Sequence, residues 1–156
     1  MITVKKTEDK DLKSLKRFLK QYKLEDSLFM DRLDQTMIIA DGAEILGFGS
    51  FVIKDESGII DVILLSEDML WPTMGDGLVK AMLNTLDLRG VKSAYLLTDK
   101  PHMEIIKKIG LRYSDKSVNE ALSELDAPYL LKSMDTVFET KLPDFFDHAC
   151  HSKGRG

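Results

Sequence analysis

Gly58-Ile59-Ile60-Asp61-Val62-Ile63-Leu64-Leu65 and, after a polar and Trp-Pro loop, Gly75-Asp76-Gly77-Leu78-Val79-Lys80-Ala81-Met82-Leu83 decide how this chain is read. The first stretch is almost continuously apolar, the pattern of a central strand covered on both faces, with Asp61 as its exception. In the second, Val79, Met82, Leu83 and Leu86 recur at i, i+3, i+4 and i+7, one buried stripe of a helix over 78–89 that stops at Gly90. A flexible Gly-x-Gly turn feeding a helix would expose backbone N–H groups at a positive dipole end, a place to put a phosphate.

Outward from this unit, Ile2–Lys6 reads as a first strand. Leu12, Leu15, Phe18, Leu19 and Tyr22 follow at helical spacing, with lysines on the other face. Residues 24–34 hold a second short helix. Thr36–Ala40 and Ile45–Ile53 flank the turn signal Asp41-Gly42 as a hairpin, and Gly47 and Gly49 mark a bulge or a close backbone approach. Val91–Thr98 is a strand and Pro101–Ile109 a short helix ending at Gly110. Residues 114–127 are helical in character, and Tyr129–Leu131 and Thr136–Thr140 are candidate last strands. An antiparallel meander thus precedes the strand-helix-strand unit: mixed α/β (α+β), a mostly antiparallel central sheet flanked by helices. The expected organisation is one domain over 1–140 and a tail over 141–156.

This order, with its local signatures, resembles the GCN5-related N-acetyltransferase (GNAT) superfamily. Ile2-Thr3-Val4-Lys5-Lys6-Thr7-Glu8-Asp9-Lys10-Asp11-Leu12 looks like its first strand and first helix cap, and the hairpin with Ile45-Leu46-Gly47-Phe48 like its paired second and third strands. Gly75-Asp76-Gly77-Leu78-Val79-Lys80-Ala81-Met82-Leu83 looks like its acetyl-CoA motif, Arg-Gly-x-Gly-x-Gly/Ala and the helix after it. Ile105-Ile106-Lys107-Lys108-Ile109-Gly110-Leu111 looks like its Phe-Tyr-Glu-Lys-Leu-Gly-Phe segment. The resemblance covers residues 1–113. It departs at Met74, in place of the basic residue that begins the motif, at Val79, in place of a small one, at Asp76, an anion where pyrophosphate would sit, and at Ile106, in place of the tyrosine acid.

The resemblance implies acetyl-CoA as cofactor and transfer of the acetyl group to a primary amine by direct attack. Met74, Gly75, Asp76, Gly77, Leu78, Val79 and Lys80 would then hold pyrophosphate, and backbone groups of Leu64 and Leu65 the pantetheine arm and the thioester carbonyl. Acyl transfer to an amine needs a base, and Asp61 and Glu67, on or just after the central strand, are the candidates. Tyr113 and Tyr95 are candidate acids for the leaving thiolate, or packing residues. Trp71 either packs beneath its loop or lines an acceptor pocket. The alternative reading is a GNAT-like module without catalysis, binding acyl-CoA or a protein partner. A third is a helix–sheet domain unrelated to CoA.

Composition bounds these readings. The 156 residues suffice for one domain with a core. No apolar run approaches the ~20 residues of a membrane span, no signal-peptide core opens the chain, and the single cysteine excludes an internal disulfide. The expectation is a cytoplasmic protein. Residues 1–23 carry eight Lys/Arg against three Asp/Glu, +5, so the rest carries −9 of the net −4. That basic helix reads as a solvated face; nucleic acid is not expected as a partner, nor is a membrane, while a homodimer is implied at family level. His148, Cys150 and His151, with Asp147, offer zinc-ligand types without a complete set of four, so no metal is expected. His102 reads as a surface residue.

Overall fold

The computed structural model describes residues 1–146. Seven strands form one sheet: β1 (Ile2–Lys6), β2 (Thr36–Asp41), β3 (Glu44–Lys54), β4 (Ser57–Leu65), β5 (Ser93–Thr98), β6 (Arg112–Tyr113) and β7 (Thr136–Lys141), in the spatial order β1-β2-β3-β4-β5-β7-β6. Only β4 and β5 run parallel, so the sheet is mostly antiparallel, as the sequence predicts. The longer helices are α1 (Leu12–Lys20), α2 (Asp76–Leu88), α3 (Met103–Ile109) and α4 (Val118–Glu124), and residues 142–146 form one further helical turn after β7.

The β2–β3 turn is made by Gly42 at φ +61°, a conformation that costs glycine nothing. Strand alternation divides the core in two. Met37, Ile39, Phe51 and Ile60 point to α2 and α3 and meet Leu78, Met82, Leu86 and Ile106. Ile38, Ala40, Phe48 and Val62 point the other way and meet Leu15, Phe18 and Leu19 of α1, while Ile59, Leu97 and Val137 meet Val118, Ala121 and Leu122 of α4. Each large side chain removed from water there contributes roughly 1.5–3 kcal/mol. The close approach expected at the strand glycines is real. A Cβ on Gly49 would lie 2.6 Å from Met82 Sδ, so α2 seats on β3 only because Gly49 is bare.

Several boundaries differ from the sequence reading. The short helix expected over 24–34 is two 3-10 segments, Asp26–Leu28 and Met30–Gln35. Tyr129–Leu131 is not a strand: the Tyr129 hydroxyl donates to the carbonyl of Met134 at 2.5 Å and folds the segment into a turn. The tail does not begin at 141, because Lys141 ends β7 and Leu142 and Phe145 are buried in the core. No helix among the described residues is long and apolar enough to cross a membrane. His148, Cys150 and His151 lie outside the described residues.

Candidate functional site

β4 and β5 pair only from Ser57 to Ile60 against Ser93 to Leu96. Beyond these pairs the strands diverge, so β4 from Asp61 onward has no strand partner on the β5 side, while β5 keeps β7 on its far edge. The gap is a cavity of about 310 Å³. Ile63, Leu64, Leu65 and Leu97 make its apolar wall, and Thr98, Asp99, His102 and Ser133 bring polar groups to it. Tyr22, just after α1, closes one side: its hydroxyl donates to the Leu65 carbonyl at 2.9 Å. Burial, and secondly the Asp68 carboxylate, push the Tyr22 phenol above its ordinary value, so it stays a donor.

The rim of the cleft is built by the segment after β4. Residues expected as a loop are helical. A 3-10 turn over Asp68–Leu70 and a π turn over Trp71–Gly75 run without a break into α2. Pro72, which has no N–H to donate, sits where one turn type gives way to the other. Trp71 is 4% exposed; its ring stacks on the His102 imidazole, centroids 4.7 Å apart. Asp99 Oδ1 lies 2.5 Å from His102 Nδ1, and Asp68 Oδ1 lies 3.3 Å from Nε2.

The expected phosphate cradle takes a different form. Gly75 has helical φ −62° and ψ −44°, so Gly75-Asp76-Gly77 is the inside of a helical run rather than a turn before one. The Asp76 N–H is already bonded to the carbonyls of Thr73 and Trp71. The bare face of Gly75 is covered, since a Cβ there would stand 2.4 Å from Trp71 Cε3. Asp76 is paired with Lys80 at 3.1 Å. Met74 is half-buried, and Leu78 and Val79 are core residues.

The expected acid and base candidates are dispersed. The pairings Ser50 with Val62 and Phe51 with Ile60 leave Asp61 as the extra residue of a β-bulge. It is 1% exposed. Ser50 Oγ donates to it at 2.7 Å and Arg32 Nη2 at 3.0 Å, and Arg32 also donates to the Phe51 carbonyl. This is a closed ion pair holding the Met30–Gln35 segment to the sheet. Glu67 is exposed, and its carbonyl accepts the first hydrogen bond of the 3-10 turn. Tyr113 stacks on Phe138 at β6, centroids 4.6 Å apart, under Lys107, and Tyr95 lies beneath Lys116. None of Asp61, Glu67, Tyr95 and Tyr113 is among the residues lining the cleft, whereas Leu64, Leu65 and Trp71 are.

Sequence reasoning missed Tyr22, Asp68, Asp99 and His102. The His102 side chain, read as a surface residue, is 19% exposed. The one local signal was Asp99-Lys100-Pro101-His102, a cap with its imidazole three residues on.

No family model matches the chain, and no curated protein matches it. Solved structures do. N-acetylglutamate synthase from Neisseria gonorrhoeae, complexed with coenzyme A and N-acetyl-glutamate, aligns over 91% of this chain at TM-score 0.68 and 10% identity. The chain spans only 35% of that protein. The ribosomal-protein-S18-alanine N-acetyltransferase from Escherichia coli aligns over 89% of this chain and 91% of its own, at TM-score 0.62 and 12% identity. An acetyltransferase of the GNAT family from Staphylococcus aureus aligns over 91% and 99%, at TM-score 0.68 and 11% identity. Sheet order, helix placement and these alignments agree: the chain has the GNAT fold.

Proposed function

We propose that the chain is an acyl-thioester-dependent N-acyltransferase, with acetyl-CoA as the first donor to test and a primary amine as acceptor. The observation that carries this reading is the divergence of β4 from β5, which opens a cavity of about 310 Å³ beside unpaired strand backbone. The GNAT fold, and relatives crystallised with coenzyme A, support it. The −9 balance beyond residue 23 favours a cationic acceptor.

Coenzyme A presents two parts to a protein, and they fit this chain unequally. The cleft suits a thioester arm: Ile63, Leu64, Leu65 and Leu97 would hold it by apolar contact, and the free edge of β4 by hydrogen bonds. When bound, the thioester supplies an activated acyl carbon. Residues 75–77 do not suit the diphosphate, because the Asp76 N–H is spent, Gly75 is covered and Asp76 is an anion.

Calorimetric titration with acetyl-CoA and with S-acetylpantetheine, which lacks the nucleotide diphosphate, tests both points. The expected outcome is binding of both with affinities within about tenfold, or about 1.4 kcal/mol. A thousandfold preference for acetyl-CoA would mean that a diphosphate cradle forms after all. No binding of either ligand by folded protein would sink the transferase reading.

A further inference from the structure

We infer that His102, oriented by Asp99 and braced by Trp71, is the catalytic proton-transfer group of the cleft; the inference rests on the transferase reading above. Three independent constraints converge on one imidazole. Asp99, at the end of β5, places a carboxylate oxygen 2.5 Å from Nδ1. Both ring nitrogens have a carboxylate nearby, but Asp99 is the nearer and is mostly buried, whereas Asp68 is 3.3 Å from Nε2 and 92% exposed, free to turn into solvent. The tautomer assigned here therefore has the proton on Nδ1 and the lone pair on Nε2. The Trp71 indole, itself buried, stacks on the ring at a 30° interplanar angle and fixes its rotation. His102 and Asp99 both line the cleft, alongside the Leu64 and Leu65 end of β4. A histidine that only capped α3 would need none of this, because the backbone N–H of His102 already donates to Asp99.

The arrangement supports a balanced transfer. The amine nitrogen attacks the thioester carbonyl and the carbon–nitrogen bond forms. Nε2 takes the proton that the nitrogen loses. The imidazolium then has Asp99 at Nδ1 and the exposed Asp68 at 3.3 Å from Nε2. As the carbon–sulfur bond breaks, the same proton passes to the departing thiolate, and His102 returns to its starting state. One residue thereby serves in turn as base and acid. Tyr22 lines the same cleft and holds the Leu65 carbonyl, which makes it a positioning residue for the strand end.

The test combines structure, binding and turnover. Nitrogen-15 spectra of the imidazole in the resting protein should show Nδ1 protonated and Nε2 bare. His102→Ala should still bind S-acetylpantetheine, with affinity within about tenfold of wild type, because the arm rests on Ile63, Leu64, Leu65 and Leu97. It should release thiol at least about 100-fold more slowly than wild type with an amino acid, a polyamine or a peptide N-terminus as acceptor. Added imidazole should restore part of that rate, which a purely structural histidine would not permit. Asp99→Asn should invert the tautomer and lose rate in parallel. Thiol release by His102→Ala within threefold of wild type, or an Nε2-protonated resting ring, overturns the assignment while leaving the transferase reading intact. Wild-type protein that binds no thioester overturns both.

Discussion

Burial decides what a carboxylate does, and Asp61 is the clearest case. As the one charge in an apolar strand it stood out in the sequence, and a base on the central strand was a reasonable expectation. What the sequence could not display was Arg32, 29 positions away, closing on it in the folded chain. With Ser50 and Arg32 occupying its oxygens, Asp61 belongs to the architecture. Asp61→Asn leaves the Arg32 guanidinium facing a neutral amide and should destabilise the fold by about 3–5 kcal/mol in urea unfolding. Thioester affinity of the folded variant should be unchanged; a large loss of affinity would return Asp61 to the site. His102 is the reverse case. Asp99 lies only three residues before it, but its other partners Asp68 and Trp71 belong to a different segment, Asp68 lying 34 positions earlier, so the local cap was too little to distinguish it from a surface residue.

Among the elements, the strands and the buried stripe of α2 were legible because periodicity records which side faces the core. The helical run before α2 was not, because Ser66–Thr73 has weak helix formers, and tertiary burial of Trp71 overrides local preference there. β6, two residues long, carries no pattern to read. The two glycines of the expected cradle give opposite predictions. Ala at a helix interior gains about 1 kcal/mol over Gly. Gly77→Ala should realise that gain, since its nearest neighbour would be Val4 Cγ2 at 3.9 Å. Gly75→Ala should lose about 1–3 kcal/mol instead, because the new methyl meets the rigid indole at 2.4 Å. In a Trp71→Ala background the Gly75 substitution should turn from harmful to neutral or better. Thermal unfolding of wild type, the three single variants and the double variant checks the sign at each position. A destabilising Gly77→Ala would indicate a turn at this position.

The whole molecule is one sheet with helices on both faces, and its core continues past the expected end of the domain. Leu142 is fully buried and Phe145 nearly so, both in the cluster of α2 and α3. Leu142→Ala should therefore cost about 2–5 kcal/mol. Because both core faces share the same strands, calorimetry should show one transition with matching van't Hoff and calorimetric enthalpies. Two resolved transitions would divide the chain where the sequence placed no boundary. Leu-Pro-Asp-Phe-Phe offers too short a pattern to separate a buried helical turn from a tail. The single tryptophan of the chain is the one stacked on His102 at the cleft. All indole emission from this protein therefore originates at one address, and its intensity and wavelength report any change in the surroundings of the ring it stacks on, with no label attached.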